Sequence, residues 1–382
     1  MAKTTTKKAE AESPETEGQI TPQQQITSFL KANKADHYNF EEDNNYKVRA
    51  SSLTVTAQMD GGLTPGAHRS VGITSGGKTS FTLDLMYHFL QNVKGHRGVY
   101  IKAEGRLSEN VKERSGVTFV TDPDKWTDGT CFVFESNVYE AVFGLIGELI
   151  RNNPLKTRYY IVIDSLDMMG KRDDLEKPLE QAGQVAGGAL LTSVFLKKTS
   201  AALAKRGHIC WFISQLRESI KLNPYEKSAP RQGGASGGHA VEHAGDWVLE
   251  FLPRFNDDII REGGEKSGKI IGHYCRMKIV KSNNEKYGTE VRFPIKYNRK
   301  NASSVWVERE IVDLMLGWEM ISKAGAWLRF SDEIRAEVRE KTGVEIPEKI
   351  QGLDNVYKLL EDDKALTDYL FAKFLKLVTN KE

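Results

Sequence analysis

Several features that would assign a protein to a broad class are scarce in this chain of 382 residues. It has three cysteines, Cys131, Cys210 and Cys275, and their spacing fits neither a disulfide framework nor a metal site. No apolar run approaches the length of a membrane span, and no apolar segment of a signal peptide stands near the N-terminus. The sequence therefore predicts free thiols in a reducing compartment, a cytoplasmic location and no membrane partner.

An excess of charge of one sign is also absent. Lys and Arg number 54 and Asp and Glu number 52, which gives a net charge of +2. Any surface that binds nucleic acid must therefore be local rather than a property of the whole chain. With 39% hydrophobic and 28% charged residues, the composition indicates a soluble protein with one sizeable domain and smaller appendages.

A phosphate-binding pattern is present in residues 72–79, GITSGGKT, which match G-x-x-x-x-G-K-[ST]. Its glycines let backbone N–H groups turn toward a polyphosphate, Lys78 reaches the β- and γ-phosphates, and the Thr79 hydroxyl can hold Mg²⁺. A β-prone segment precedes the motif and helical apolar spacing follows it, as the motif requires; the alternative is a glycine-rich surface turn. The nucleotide-binding residues predicted from the motif are Gly72, Ile73, Thr74, Ser75, Gly76, Gly77, Lys78, Thr79 and Ser80.

Strands and helices alternate from about residue 70 to about residue 300. The strands are apolar without alternation and are separated by helices, which predicts an α/β fold with a largely parallel sheet buried on both faces. Residues 246–252, 274–280 and 289–297 alternate better, and we expect them to pair antiparallel near an edge. From about residue 311 the pattern becomes helical, including a predicted helix over residues 310–322.

The parts outside this core have their own patterns. Residues 1–20 contain almost no apolar side chains and are expected to form a disordered tail. Residues 21–58 predict a linker and a short helix with Thr21 as N-cap and Pro22 in the first turn, which should pack on the core or on a neighbouring subunit. We therefore predict a core over residues 59–310 and a small α-rich C-terminal domain over residues 311–382.

Three polar residues stand at the ends of predicted strands, where ligands bind in open α/β sheets. Asp164 ends an apolar strand and is predicted to hold Mg²⁺ opposite Thr79, the alternative being an aspartate of a strand-end turn. Glu104 is a candidate for orienting or deprotonating the attacking water, and a solvent-facing loop glutamate fits its position equally well. Gln215 follows an apolar strand, where a glutamine can bind the attacking water or sense the γ-phosphate.

Two glycine-rich segments are candidates for nucleic-acid contacts. Residues 181–188 precede a predicted helix that carries Lys197, and residues 217–238 form a long polar stretch with several cations. Such loops can approach a phosphodiester backbone through main-chain N–H groups and Lys or Arg side chains. Each segment alone is also compatible with a disordered surface insert.

Taken in order, these motifs resemble those of the bacterial and phage RecA-type recombinases from about residue 53 to near the C-terminus. The resemblance lies in GGLTPG at 61–66, the phosphate loop, YIKAE at 100–104, VIDS at 162–165, FISQLR at 212–217, the glycine pair 237–238, the basic strand RMKIVK at 276–281 and ISKAGAW at 321–327. The phosphate loop is shared by many NTPases, whereas the ordered set is much more specific.

The resemblance implies a RecA-like P-loop ATPase core, with ATP and Mg²⁺ as cofactors. It implies that Glu104 is the catalytic base, that Gln215 is the γ-phosphate sensor, that Thr79 and Asp164 hold the metal, and that Lys281 reaches the ATP of a neighbouring subunit. The implied DNA-binding residues are Gly187, Gly188, Ser193, Lys197, Arg217, Lys221, Lys227, Arg231, Gly237 and Gly238.

Some positions depart from the family pattern. Asn283 stands where the basic strand has another lysine, His243 where the family has an aromatic residue, and Lys102 where it usually has an acid. The chain also ends in LVTNKE rather than in an acidic tail. These departures favour a phage or otherwise remote member, in the cytoplasm of a bacterium or of a phage host.

The predicted function is a DNA-dependent ATPase that forms helical filaments on single-stranded DNA and catalyses homologous pairing and strand exchange in recombination and repair. Its expected partners are single- and double-stranded DNA, further copies of itself, and single-strand-binding or mediator proteins as candidates. One alternative is a ring-forming replicative helicase of the same superfold, which residues 214–217 and 245–248 also fit. The other is a related ATPase that binds no nucleic acid.

Overall fold

The computed structural model describes residues 20–41, 44–105, 107–178, 187–216, 238–264 and 267–379. The chain divides into two compact units, residues 1–42 and residues 43–382. Within the described residues, no helix is both long and apolar enough to cross a bilayer.

The first unit contains helix α1 (Pro22–Ala32), which begins as the sequence predicts. The Thr21 hydroxyl accepts a hydrogen bond from the N–H of Gln24 at 3.2 Å, and the Gln24 side chain accepts one from the N–H of Thr21 at 2.9 Å. This reciprocal pair satisfies two N–H groups that have no partner inside the helix. Ile26 and Phe29 of α1 are exposed.

The second unit is built on a large mixed sheet. Its strands are β1 (Gly66–Gly72), β2 (His96–Lys102), β3 (Thr118–Val120), β4 (Thr130–Phe134), β5 (Arg158–Asp164), β6 (Ile209–Ile213), β7 (Trp247–Phe251), β8 (Ile259–Arg261), β9 (Ile270–Lys281) and β10 (Glu290–Lys296). In the described part of the chain the order is β10-β9-β7-β1-β6-β5-β2-β4-β3, with β8 paired to β9. The strands from β7 to β3 run parallel, and β9 is antiparallel to β7, β8 and β10. The predicted largely parallel sheet with antiparallel strands at one edge is confirmed for β9 and β10, whereas β7, predicted to be antiparallel, runs parallel to β1 and antiparallel only to β9.

Helices connect and flank these strands. They are α2 (Leu53–Gln58), α3 (Lys78–Asn92), α4 (Glu109–Ser115), α5 (Tyr139–Arg151), α6 (Arg172–Glu176), α7 (Gly187–Lys205) and α8 (Gly238–Ala244). The main ones, α3, α5 and α7, lie in the region where helices were predicted to alternate with strands, and their apolar residues recur at helical spacing. The short elements α4, β3 and α8 were not predicted, since fewer than two turns or four strand residues carry little periodic signal.

Aromatic packing fixes α3 against the sheet. The Phe81 ring lies 6.3 Å from Trp211 of β6 and 5.6 Å from Phe251 of β7, measured between ring centroids. Phe89 of α3 lies 5.4 Å from Tyr160 of β5. Because these contacts hold α3 at two places, the first turn of the helix has a defined position above the carboxyl ends of β1, β5 and β6.

A second apolar cluster is formed by the C-terminal elements. They are α9 (Val307–Gly317), α10 (Asp332–Thr342), α11 (Leu353–Asp362), α12 (Lys364–Val378) and an antiparallel sheet of β11 (Ile321–Ala324), β12 (Trp327–Phe330) and β13 (Lys349–Gln351). The helix predicted over residues 310–322 was too long: α9 ends at Gly317, and Glu319 has a positive φ of 57° that breaks the helix. The domain boundaries given above stay a prediction.

The segment before the core is tied to α9 by one buried carboxylate. Glu310 accepts hydrogen bonds from the Ser52 hydroxyl at 2.6 Å and from the N–H of Leu53 at 3.0 Å. These donors lie at the start of α2, where the helix dipole favours a negative charge. Glu310 therefore caps α2 from a residue more than 250 positions away in sequence.

Candidate phosphate-binding site

Residues 73–77 form a loop between the end of β1 and the start of α3, so the predicted order of strand, loop and helix is confirmed. Gly72 has a φ of 140°, and a Cβ atom there would lie 2.3 Å from the carbonyl oxygen of Phe251. Gly77, at the N-cap of α3, is left-handed with a φ of 108°. The positive φ values disfavour a side chain at both positions. At Gly72 a side chain would also clash with the neighbouring strand.

Lys78 folds back across this loop. Its ammonium donates hydrogen bonds to the carbonyl oxygens of Gly72 at 3.0 Å and Ile73 at 2.6 Å, and the side chain is buried. Burial lowers the pKa of Lys78, while the carboxylates of Asp164, Asp167 and Glu104 act in the opposite direction. The loop therefore holds a cation next to N–H groups of the first turn of α3, which is an arrangement suited to an anion.

Asp164 ends β5 beside the first turn of α3. Its Oδ2 atom accepts hydrogen bonds from the hydroxyls of Thr79 and Tyr100, both at 2.7 Å. Burial raises the pKa of Asp164, and the hydrogen bonds from Tyr100 and Thr79 and the charge of Lys78 oppose that shift. Tyr100 was missed by the sequence analysis because it stands within an apolar strand and has the pattern of a core residue.

The oxygen atoms of Thr79 and Asp164 fit a magnesium ion. Mg²⁺ is usually held by one or two carboxylates together with the phosphates of a substrate. Among the described residues, no group of three or more His, Cys, Asp or Glu side chains could hold a metal ion. A cation at this position would therefore depend on Thr79, Asp164 and the oxygens of a bound phosphate.

Glu104 and Gln215 meet across the ends of two strands. Gln215 donates from Nε2 to Glu104 Oε1 at 3.2 Å, and its own Oε1 accepts a hydrogen bond from the Thr74 hydroxyl at 3.4 Å. The N–H of Gln215 donates to Asp167 Oδ2 at 2.7 Å. Gln215 thus contacts the phosphate loop and the segments that follow β2 and β5. The sequence analysis also missed Asp167, because a residue in the short turn after a strand gives no sequence signal for such a contact.

One cavity of about 480 Å³ brings these residues together, a volume within the range of small-molecule sites. Glu104, Asp164 and Gln215 line it, as do the loop residues Thr74, Ser75, Gly76, Gly77, Lys78, Thr79 and Ser80. Away from the loop its wall is more apolar and includes Val111, Phe293, Ile295 and Val305. A charged phosphate chain fits one end of such a cavity and an uncharged ring system fits the other.

Lys281 is not among the residues that line this cavity. It ends β9, and its ammonium donates to the carbonyl oxygens of Glu242 at 3.2 Å and His243 at 2.6 Å. In this chain Lys281 therefore fastens the strand to α8 rather than facing the phosphate loop of the same subunit.

The residues with an implied role in DNA binding lie in several places. Gly187, Gly188, Ser193 and Lys197 belong to α7, where Lys197 is exposed, and Gly238 begins α8. Arg217, Lys221, Lys227, Arg231 and Gly237 lie outside the described residues, as do residues 181–186 of the first glycine-rich segment.

Comparison with known proteins gives a consistent result. The family model for the RecA N-terminal domain matches residues 43–302. The protein RecA of Chlorobaculum tepidum is 26% identical over 322 residues, which cover 84% of this chain and 80% of that protein. The RecA of Rickettsia prowazekii is 26% identical over 299 residues, 78% of each chain, and that of Rubrobacter xylanophilus is 27% identical over 274 residues, covering 70% and 69%.

Proposed function

The chain belongs to the RecA family, and from this premise we propose that it is an ATP-dependent DNA recombinase that forms filaments on single-stranded DNA and catalyses homologous pairing and strand exchange. The observation that carries this proposal is the meeting of Lys78, Thr79, Glu104, Asp164 and Gln215 at one cavity. A phosphate loop by itself is common to many NTPases; a carboxylate and a glutamine in contact beside it supply groups for hydrolysis and for sensing the nucleotide.

Each of these residues has a proposed task in ATP binding and hydrolysis. Lys78 and the N–H groups of the loop bind the β- and γ-phosphates. Thr79 and Asp164 hold Mg²⁺, which neutralises charge on the phosphates when it is bound. Glu104 orients and deprotonates the water that attacks the γ-phosphate. Gln215 detects whether that phosphate is present.

The proposed link to DNA begins at Gln215. A bound γ-phosphate would compete for the side-chain hydrogen bonds that Gln215 makes with Glu104 and Thr74. Residues 217–238, the proposed second DNA-binding loop, begin two positions after Gln215 in sequence. A shift of the Gln215 side chain can therefore change the position of this loop. In this proposal, ATP binding and hydrolysis switch the affinity for DNA, and Lys281 contacts the ATP of a neighbouring subunit.

DNA contacts in this proposal come from the two glycine-rich segments. Gly187, Gly188, Ser193 and Lys197, which lie in the first three turns of α7, contact the phosphate backbone together with the cations of residues 217–238. The net charge of +2 is compatible with this, because the basic residues need only line the axis of the filament.

Electron microscopy with a non-hydrolysable ATP analogue tests the proposal. Helical filaments on single-stranded DNA, absent without nucleotide, are expected. Closed rings on a tailed duplex would identify a replicative helicase instead. A protein that hydrolyses ATP but shows no salt-sensitive binding to single strands would be an ATPase without a nucleic-acid partner, since several phosphate contacts make binding fall steeply as salt rises.

A further inference from the structure

Asp167 makes a short contact with the residue proposed to sense the nucleotide. It lies three positions after Asp164, in the single helical turn Leu166–Met168, and is half-buried. Its Oδ2 atom accepts a hydrogen bond from the main-chain N–H of Gln215 at 2.7 Å. Charge-assisted hydrogen bonds of this kind are stronger than neutral ones. The sequence analysis assigned Asp167 no role.

The contact fixes the backbone at the point where the Gln215 side chain departs. The neighbouring N–H groups are held by β1 and its end: that of Ser214 donates to Ser70 at 3.0 Å, and that of Leu216 to Gly72 at 3.3 Å. Between them, the N–H of Gln215 points the other way, to the segment after β5. With its main chain held from both sides, the Gln215 side chain has a defined origin from which it reaches Glu104 and Thr74.

A buried arginine lies next to the anchor, which is the hydrogen bond between Asp167 and the main chain of Gln215. Arg69 of β1 donates from Nε to the Ser214 hydroxyl at 3.2 Å. Burial lowers the pKa of Arg69, and the carboxylates of Glu242 and Asp167 act in the opposite direction. Glu242 belongs to α8, the helix that follows residues 217–237 in sequence.

We propose that Asp167 is a positioning residue for the nucleotide sensor: its carboxylate holds the main chain of Gln215, next to Ser214, whose hydroxyl accepts a hydrogen bond from Arg69. This inference rests on the proposed function, because it assumes that Gln215 relays the nucleotide state to DNA binding. Asp167 does not touch the phosphates, since it is not among the residues lining the cavity. Loss of the anchor therefore affects the coupling between ATP and DNA more than the affinity for ATP.

Substitution of Asp167 tests this role in the full-length protein. ATP hydrolysis is measured with and without single-stranded DNA over a range of ATP concentrations. In Asp167→Ala the KM for ATP should stay near that of the wild type, while the stimulation by DNA falls about tenfold, the size expected for one charge-assisted hydrogen bond. Asp167→Asn should recover most of the stimulation, because its amide oxygen can accept the same N–H. Asp124→Ala removes an exposed aspartate and serves as the matched control.

Hydrogen exchange at the Gln215 amide provides a second measurement that needs neither ATP nor DNA. Its exchange should be clearly faster in Asp167→Ala than in the wild type, closer to the wild type in Asp167→Asn, which keeps a neutral acceptor, and unchanged in Asp124→Ala. If Asp167→Ala does not fold, Asp167→Glu replaces it: the charge remains, but the acceptor moves by one methylene, so both defects are expected again.

The inference is overturned if Asp167→Ala, or Asp167→Glu in its place, keeps full stimulation by DNA or wild-type exchange at Gln215. It is also overturned if the KM for ATP rises in proportion to the loss of stimulation, since that pattern indicates general damage to the nucleotide site. A wild-type protein that does not respond to DNA would contradict the proposed function instead, and the exchange measurement would then decide the anchoring role by itself.

Discussion

The side-chain amide of Gln215 donates a hydrogen bond to Glu104 Oε1 at 3.2 Å, although the two residues are 111 positions apart in sequence. The proposed sensor of the γ-phosphate and the proposed base are therefore in direct contact. Since the Thr74 hydroxyl also bonds to Gln215, a phosphate that enters the loop meets three side chains that are linked to one another. Binding and hydrolysis can both change this set of contacts.

Removal of the Lys78 ammonium should abolish nucleotide-dependent assembly. The group is held by two carbonyl oxygens of the loop, which fix its position at the phosphate loop. We expect Lys78→Ala to weaken ATP binding by roughly 100-fold, the scale of one or two charge-assisted hydrogen bonds, and to form no filaments with ATP. A titration with a fluorescent ATP analogue measures the affinity, and Lys358→Ala, which removes an exposed lysine of α11, is the control. Wild-type affinity in Lys78→Ala would contradict the assigned role.

Glu104→Gln should separate ATP binding from turnover. The amide preserves the size of the side chain but cannot take a proton from water, so the rate constant for hydrolysis should fall by about 10² to 10⁴. Filaments on single-stranded DNA should still form with ATP, and they should persist longer because hydrolysis no longer releases them. Steady-state ATPase assays and DNA-binding titrations of the same preparation check both effects. A hydrolysis rate near that of the wild type would show that another group acts as the base.

The predictable part of this site is the part that is local in sequence. Residues 72–79 carry their function in one continuous pattern, and Asp164 and Gln215 follow apolar strands whose ends meet at one edge of a parallel sheet. Tyr100 and Asp167 could not be predicted in the same way. Tyr100 reaches Asp164 because β2 pairs with β5, and Asp167 reaches Gln215 because β5 pairs with β6. Such contacts depend on strand order and register, which no local pattern specifies.

In the fold, too, the elements with a long local pattern were predictable and those decided by tertiary contacts were not. Helices of three turns or more and apolar strands were predicted because their periodicity extends over many residues. The predicted helix over residues 310–322 continued into β11, since Ile321 is apolar at a spacing that also suits a helix. In the structure Ile321 is buried opposite Phe330 of β12, so pairing with a neighbouring strand overrides the local preference.

Stability should fall as the solution is made mildly acidic. Burial lowers the pKa of His68, His88 and His208 to about 3, from an ordinary value of 6.5. Below pH 6.5 the unfolded chain binds protons that the folded chain does not, so the free energy of unfolding falls by about 1.4 kcal/mol per pH unit for each histidine. Urea unfolding at about pH 7.5 and about pH 5.5 should differ by about 3 to 4 kcal/mol from these three groups.

His208 offers a test of that cause. Its Nδ1 atom accepts a hydrogen bond from the N–H of Tyr159 at 3.2 Å, so a proton added there would oppose an existing donor. His208→Phe should reduce the dependence of stability on pH by about 1 kcal/mol per pH unit between about pH 5.5 and 6.5. Burial raises the pKa of Asp84, Asp164 and Glu310. These carboxyl groups therefore make the folded protein more stable as the pH falls, and they do so at pH values nearer to the ordinary pKa of a carboxyl group. If the free energy of unfolding of His208→Phe depends on pH as in the wild type, His208 does not contribute to this dependence.

Glu310→Gln should lower stability while leaving the nucleotide site intact. The carboxylate is buried, and its two oxygens accept from the Ser52 hydroxyl and from the N–H groups of Leu53 and Thr54, whereas a glutamine would place an NH₂ donor opposite one of these donors. We expect the free energy of unfolding to decrease by about 1 to 3 kcal/mol, the cost of an unsatisfied buried donor. Urea unfolding measures the loss, and the KM for ATP should not change. Glu308→Gln on the same helix loses an ion pair with Arg299 instead and serves for comparison.

Mixing two impaired variants tests whether Lys281 acts on a neighbouring subunit. In its own chain the ammonium bonds to α8 and does not line the phosphate cavity, so Lys281→Ala should leave ATP binding to the isolated subunit unchanged. It should nevertheless lower DNA-stimulated hydrolysis, because the neighbouring site lacks its cation. A Glu104→Gln subunit supplies Lys281, and a Lys281→Ala subunit supplies Glu104. In a filament with head-to-tail interfaces, an equal mixture should therefore recover about a quarter of the wild-type rate, the fraction of interfaces at which both intact residues face one site. Measurement of ATP hydrolysis at fixed total protein checks this, and a mixture no more active than either variant alone would contradict a role for Lys281 across the interface.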